Sequence, residues 1–162
     1  MPSLRSFADM TSCEHCRCVY ISDRDGECVH RLDLHGAFTR WTVNDKPFGL
    51  SVNTSHNVIV TCRLVRKVKE FSSRGVLQRE LTLPDDVINS SHAMETRSGQ
   101  FIVCHGSRLR CDPVHRVCMM VVILSTHMVD SHVHTLVSIV CPSTWQLMIM
   151  SLCLLLTLTT VE

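Results

Sequence analysis

The chain has 162 residues, enough for one hydrophobic core, and 45% of them are hydrophobic. Its formal net charge is only +1, so the overall charge gives no electrostatic case for a nucleic-acid ligand. Ten cysteines follow an opening, MPSLRSFADM, that has no apolar signal segment, which favours free thiols and a cytoplasmic, reducing compartment.

Residues 1–17 are predicted to be a lead-in that holds the end of a strand without a partner. The lead-in ends on SCEHCRC, and C-x-x-C is a common zinc half-site. The alternative zinc ligands are Cys13, Cys16, Cys28 and His30. However, the second half-site lacks the usual spacing, and Cys28 falls inside a predicted strand. We therefore expect no metal and no cofactor.

A repeat of short β-strands and turns fills the middle of the chain. Shifting the sequence by 39 residues superposes Val19 on Val58, Arg24 on Arg63, Val29 on Val68, Gly36 on Gly75 and Arg40 on Arg79. A looser third copy, shifted by 43 residues, places Phe101 on Val58. A period of about 40 residues with several β-branched strands per unit is typical of the blades of a β-propeller. Residues 18–119 would form about 2.5–3 blades, and because a ring needs about four to eight, we predict an incomplete, all-β propeller.

The repeat resembles the NHL repeat, whose blade opens on Pro-x-Gly-Leu-Ala-Val-Asp and continues to Arg-Val-x-x-Phe and a glycine turn. Residues 47–53 read PFGLSVN, with Gly49 at the family's glycine, and residues 67–71 read KVKEF, followed by Gly75. NHL propellers form the C-terminal part of tripartite-motif ubiquitin ligases. The resemblance implies a platform that binds protein, or RNA in some members, rather than a catalytic centre. The zinc modules of those ligases are not in this sequence, so ligase activity is not implied.

Binding is expected at loops on one rim of the propeller, where Arg24, His56 and Arg63 are the candidate residues. The sequence offers no cluster of acidic metal ligands and no small-molecule site, so the expected function is that of a non-catalytic interaction module. A protein is the expected partner, and RNA is the alternative.

Residues 120–162 break the repeat and are apolar and methionine-rich. Methionine and tryptophan each have a single codon, so part of the coding sequence of this tail is known. When the coding sequence is read in another frame, it permits Leu-Ala-Val-Asp, the motif that would open a further blade. We therefore predict that this tail is frame-shifted, foreign to the propeller and free to form a helix. The alternative is a tail-anchored membrane protein with a cytosolic β domain, in which residues 145–161 cross the bilayer.

Overall fold

A computed structural model describes residues 4–85, 87–106, 117–123 and 134–140. The described residues form β-strands, turns and loops, and no helix occurs among them. The strands are β1 (Phe7–Cys13), β2 (Cys18–Asp23), β3 (Cys28–Asp33), β4 (Phe38–Thr42), β5 (Gly49–Val52), β6 (Val58–Cys62), β7 (Lys67–Phe71), β8 (Leu77–Thr82), β9 (His92–Glu95), β10 (Phe101–His105), β11 (Val117–Ile123) and β12 (His134–Val140).

The described strands build three four-stranded antiparallel sheets in chain order. The first sheet contains β1 to β4, the second β5 to β8 and the third β9 to β12. Within each sheet, every strand pairs with the strand that precedes or follows it in the sequence. Strand β1 contacts β5, and β5 contacts β9, so the first strands of the three sheets lie side by side. Each sheet therefore corresponds to one blade of the expected propeller.

Strands β6 and β7 of the second sheet are buried on both faces, because this sheet lies between the other two. Along β6, Val58 and Val60 join the core shared with the first sheet, whereas Ile59 joins the core shared with the third. All five residues of β6 are buried, which explains why its sequence, VIVTC, is apolar without alternation. The larger core residues next to the first sheet include Tyr20, Leu50 and Phe71.

The predicted 39-residue frame is confirmed by the backbone as well as by the strand positions. Turn residues with positive φ recur at Arg17 and His56, at Glu27 and Arg66, and at Gly36 and Gly75. Each pair differs by the repeat length, so equivalent turns of the first two sheets have the same conformation. The third copy also lies where the sequence predicts it, since β10 begins at Phe101.

The structure differs from the sequence prediction at both ends of the repeat. The lead-in contains β1, which pairs with β2 from Phe7 opposite Asp23 to Cys13 opposite Cys18, so its partner is present. In the tail, residues 120–123 belong to β11 and residues 134–140 form β12, which pairs with β11 along its whole length. The expected tail helix is therefore wrong for these residues, because residues 120–123 pair with β10 and residues 134–140 pair with β11. The domain boundary at residue 120 and the frame-shifted tail stay predictions.

Among the described residues, no helix has the length and apolar character needed to cross a membrane. The predicted membrane segment at residues 145–161 lies outside the described residues.

Candidate binding cleft on the upper face

Each sheet has two ends, which we call the upper and lower faces. The upper face carries the β2–β3 and β6–β7 turns and the connections between sheets at residues 43–48 and 83–91. The lower face carries the β1–β2, β3–β4, β5–β6, β7–β8 and β9–β10 turns. Because the strands are antiparallel, side chains that follow β2 and β6 meet at the same face.

Two of the three predicted binding residues meet on the upper face. Arg24 follows β2, and Arg63 follows β6 at the equivalent position of the next repeat. Both side chains line one cavity of about 390 Å³. The remaining lining residues are Asp25, Lys46, Phe48, Leu64 and Asn89. We call this cavity the upper cleft.

Backbone hydrogen bonds hold Phe48 at the edge of the upper cleft. Its amide donates to the Thr61 carbonyl at 2.8 Å, and its carbonyl accepts from the Ser22 hydroxyl at 3.1 Å. The guanidinium carbon of Arg63 lies 5.1 Å from the centre of the Phe48 ring, in cation–π geometry. This contact fixes the half-buried Arg63 in the cleft while its charge remains available.

The charge of the upper cleft is predominantly positive. Arg24, Lys46 and Arg63 are cationic, and Asp25 is the carboxylate among the lining residues. Asp25 forms an ion pair with Arg24, with a nitrogen–oxygen distance of 3.4 Å, and both side chains are about half exposed. Such an exposed pair is weak, so Arg24 can exchange Asp25 for a ligand anion at low cost. The arrangement therefore suits a ligand with more than one negative group.

The third predicted binding residue, His56, lies on the lower face. It stacks on His15 with ring centres 3.9 Å apart, and its Nδ1 is 3.9 Å from the Cys13 sulfur. These side chains line a separate cavity of about 510 Å³. His56 has positive φ in the β5–β6 turn. Because this turn is on the lower face and Arg24 and Arg63 are on the upper face, the prediction that the three residues share one rim is wrong for His56.

The alternative zinc set is also divided between the two faces. Cys13 and Cys16 lie at the β1–β2 turn on the lower face, where the Cys16 amide donates to the Cys13 sulfur at 3.4 Å. Cys28 and His30 lie at the upper end of β3. The four side chains cannot all bind the same ion, because the two pairs lie at opposite ends of β2.

An imidazole–carboxylate pair, which the sequence analysis missed, lies where the first strands of the sheets begin. His92 opens β9, and its Nδ1 is 3.6 Å from Oδ2 of Asp9 on β1. Burial acts to raise the pKa of Asp9, but hydrogen bonds from His92 and from the Leu50 and Met10 amides hold it below its usual range. Asp9 belongs to the lead-in, before the predicted repeat, and His92 belongs to its loose third copy, so no spacing pattern relates them.

Comparison with solved structures identifies the class of fold as a β-propeller. A streptogramin B lyase matches with a TM-score of 0.60 and 18% identity over 88% of this chain and 43% of that chain. A gluconolactonase from Xanthomonas campestris matches with a TM-score of 0.56 and 13% identity over 72% of this chain and 43% of that chain.

The calcium-binding protein regucalcin from Agrobacterium tumefaciens has a TM-score of 0.54 and 12% identity, over 86% of this chain and 44% of that chain. The chain thus spans less than half the length of these propellers. A scan against protein-family models and a search of curated proteins each found no match.

These comparisons contradict the expectation that the chain is not an enzyme. Structures that share its fold are named as a lyase and a gluconolactonase, so the propeller fold gives no reason to exclude catalysis. The original inference was wrong because it took a functional class from a repeat pattern, whereas a fold is shared by proteins with different activities.

Proposed function

We propose that this chain is part of a propeller that binds an acidic segment of a protein partner in the upper cleft. The observation that carries the proposal is the meeting of Arg24 and Arg63 in one cavity. The two residues occupy equivalent turns of adjacent repeats, so they present guanidinium groups in a regular array. Guanidinium groups bind carboxylates with paired hydrogen bonds, and an extended acidic peptide offers carboxylates at regular spacing. The resemblance to NHL propellers supports a protein partner.

The geometry of the cleft favours an acidic peptide over RNA. Single-stranded RNA is usually held by bases that stack on exposed aromatic rings. Among the residues that line the cleft, Phe48 supplies the aromatic ring, and one face of that ring is covered by Arg63. A carboxylate ligand needs the guanidinium groups and not the ring.

The proposal is tested by titrating the protein with two fluorescent ligands, a glutamate-rich peptide and a single-stranded oligouridine of similar charge. The peptide should bind more tightly than the RNA, with an affinity that falls as salt rises. Arg24→Ala and Arg63→Ala should each weaken peptide binding about tenfold, the effect of losing one hydrogen bond to a charged group.

Arg74→Ala is the matched control, because Arg74 is exposed in the β7–β8 turn on the lower face and its removal changes the net charge equally. Unchanged peptide binding in the Arg24 and Arg63 variants would contradict the proposal. Preferential binding of the oligouridine would replace the peptide with RNA as the ligand.

A second candidate function, acid–base catalysis, is favoured by Asp9 and His92. A carboxylate close to Nδ1 orients the imidazole and leaves Nε2 available to accept a proton, as in catalytic triads. The enzymes among the solved structures include a gluconolactonase, which makes a sugar lactone a reasonable first substrate. Lactone opening above the uncatalysed rate, lost in His92→Gln, would support this function. A rate equal to the buffer blank would exclude it for that substrate class.

A further inference from the structure

Three side chains that can bind metal converge at the upper end of the first sheet. Asp23 ends β2 and Cys28 begins β3, and the two are paired across the strands. His30 lies two residues after Cys28, so it points to the same face of the sheet. All three are buried, with exposed fractions of 1% for Asp23, 4% for Cys28 and 2% for His30.

Two distances between the ligand atoms match those of a tetrahedral zinc centre. Nε2 of His30 lies 3.3 Å from Oδ2 of Asp23 and 3.4 Å from the Cys28 sulfur. Bond lengths of about 2.0 Å to nitrogen, 2.1 Å to oxygen and 2.3 Å to sulfur, at tetrahedral angles, place nitrogen about 3.4 Å from oxygen and about 3.5 Å from sulfur. All three atoms lie within 4.8 Å of one another, so an ion between them requires little movement.

The Asp23 carboxylate is already fixed in place by backbone groups. Oδ1 accepts hydrogen bonds from the Ser6 amide at 2.8 Å and the Gly26 amide at 3.0 Å. Oδ2 accepts from the Arg5 amide at 3.0 Å. Outer hydrogen bonds of this kind orient a carboxylate that binds metal. An ion would displace the Asp23–His30 contact and leave the three backbone hydrogen bonds intact.

A neighbouring cavity gives an entry path and an open coordination position. It has a volume of about 260 Å³, and Asp23 and Cys28 form part of its wall. Arg5 and Arg40 also line it, so an anion or water that completes the coordination would find hydrogen-bond donors there. Three protein ligands and one open position are typical of catalytic zinc sites.

At the position of the second sheet that is equivalent to His30, the side chain is a buried lysine. Lys69 is the counterpart of His30 in the 39-residue frame, and it is 5% exposed. Its ammonium nitrogen lies 2.6 Å from Oδ2 of Asp45 and donates to the Val43 carbonyl at 2.8 Å. The first sheet thus has a histidine where the second has a buried cation, and in each sheet a carboxylate contacts this side chain, although Asp23 and Asp45 are not equivalent in the repeat.

We propose that Asp23, Cys28 and His30 bind a Zn²⁺ ion whose fourth position faces the 260 Å³ cavity. Cys28 binds as the thiolate and releases its proton to solvent. His30 binds through Nε2 and carries its proton on Nδ1. The site shares no residue with the upper cleft, so its existence does not depend on the proposed function.

The test is a titration of the reduced full-length chain with Zn²⁺ and with Co²⁺ as a spectroscopic substitute. Co²⁺ should bind with one-to-one stoichiometry and give a thiolate-to-cobalt charge-transfer band and tetrahedral visible bands. Cys28→Ser should remove the charge-transfer band and weaken Zn²⁺ binding at least tenfold. The double variant Cys13→Ser/Cys16→Ser is the control, because it removes the other thiol pair and should keep both properties.

A measurement on the unmodified chain covers the case in which Cys28→Ser does not fold. Mass spectrometry can follow the alkylation of individual cysteines. Zn²⁺ should slow the alkylation of Cys28 and leave the alkylation rate of the half-exposed Cys16 unchanged. Loss of metal binding in the Cys13/Cys16 variant alone, or protection of Cys16 instead of Cys28, would overturn the proposal. Absence of stoichiometric binding would overturn it as well.

Discussion

Gly75 lies in the β7–β8 turn at φ +81°, and a Cβ added there would come within 2.6 Å of the Trp41 ring. Gly36 occupies the equivalent position of the previous repeat at φ +80°, but nothing lies within 4 Å of its added Cβ. The two glycines therefore allow two reasons for a glycine in a turn, backbone conformation and close packing, to be distinguished. Both avoid the strain of a left-handed backbone, and Gly75 also permits close packing between the first and second sheets.

Alanine substitution should show this difference in the free energy of unfolding. Gly36→Ala should cost about 1 kcal/mol through backbone strain alone. Gly75→Ala should cost about 2–4 kcal/mol, because displacement of Trp41 adds an overpacking term. Urea unfolding followed by tryptophan fluorescence measures both values. Equal losses in the two variants would show that Trp41 does not restrict residue 75.

Glu70 makes the stability of the folded state depend on pH. Burial acts to raise the pKa of its carboxyl, but hydrogen bonds from Asn57, Arg79 and Asn53 hold the pKa below the ordinary value of 4.5. A carboxyl with a lowered pKa stabilises the folded state above its ordinary pKa, and this contribution is lost as the pH falls below it.

We expect the melting temperature to fall as the pH drops below about 4.5, and Glu70→Gln to reduce that dependence. Differential scanning calorimetry from pH 6 to pH 3 tests this expectation. Glu80→Gln is an informative control, because Glu80 also has a lowered pKa but its side chain is more exposed, so its effect should be smaller. An identical pH dependence in Glu70→Gln and the unmodified chain would contradict the assignment.

At the scale of elements, a hydrogen-bonded network joins the second sheet to the third. Arg79 on β8 contacts Glu70 on β7 and Glu95 on β9, each at 2.7 Å. Asn53 donates to both carboxylates, at 2.9 Å and 2.7 Å. The Arg79 guanidinium also lies 4.7 Å from the centre of the Phe101 ring. One cation therefore pairs with two carboxylates at the boundary between two sheets.

Arg79→Ala should destabilise the chain by about 3 kcal/mol, because it leaves two largely buried carboxylates without their cation. Hydrogen exchange should increase most in β9 and β10, which depend on this boundary. Arg74→Ala, an exposed change of equal charge on the same sheet, should have little effect. Equal exchange in the two variants would mean that the network does not hold the sheets together.

The sequence prediction is accurate for residues that the repeat relates to one another. Val58, Val68 and Phe101 mark strands that fill the cores, and the structure buries all three. The frame also places Arg24 and Arg63 at equivalent turns, and the upper cleft contains both. Lys46 and Asn89 were not predicted, because they lie in the connections between sheets and outside the strands and turns from which the repeat was recognised.

At the scale of the whole molecule, the described residues form three sheets, and the chain spans less than half of the propellers that it resembles. Strand β11 continues through residues 119 and 120, where the repeat pattern of the sequence ends. Pairing with β10 explains how these residues extend the third sheet, since an open strand edge accepts many apolar sequences.

We retain the prediction that residues 120–162 are encoded in a shifted frame. Sequencing of the transcript and its genomic template across the codons for residues 117–122 is the test. One added or missing base that restores Leu-Ala-Val-Asp and further blades is the expected result. A template and transcript that both keep the present frame, without a longer product, would contradict it.

Hydrogen–deuterium exchange with and without a glutamate-rich peptide tests the central claim most directly, because it locates the bound peptide on the propeller. The account predicts slower exchange at the β2–β3 and β6–β7 turns, next to Arg24 and Arg63, and no change at the β5–β6 turn next to His56. Protection confined to the lower face, or no protection at saturating peptide, would contradict the assignment of the upper cleft as the binding surface.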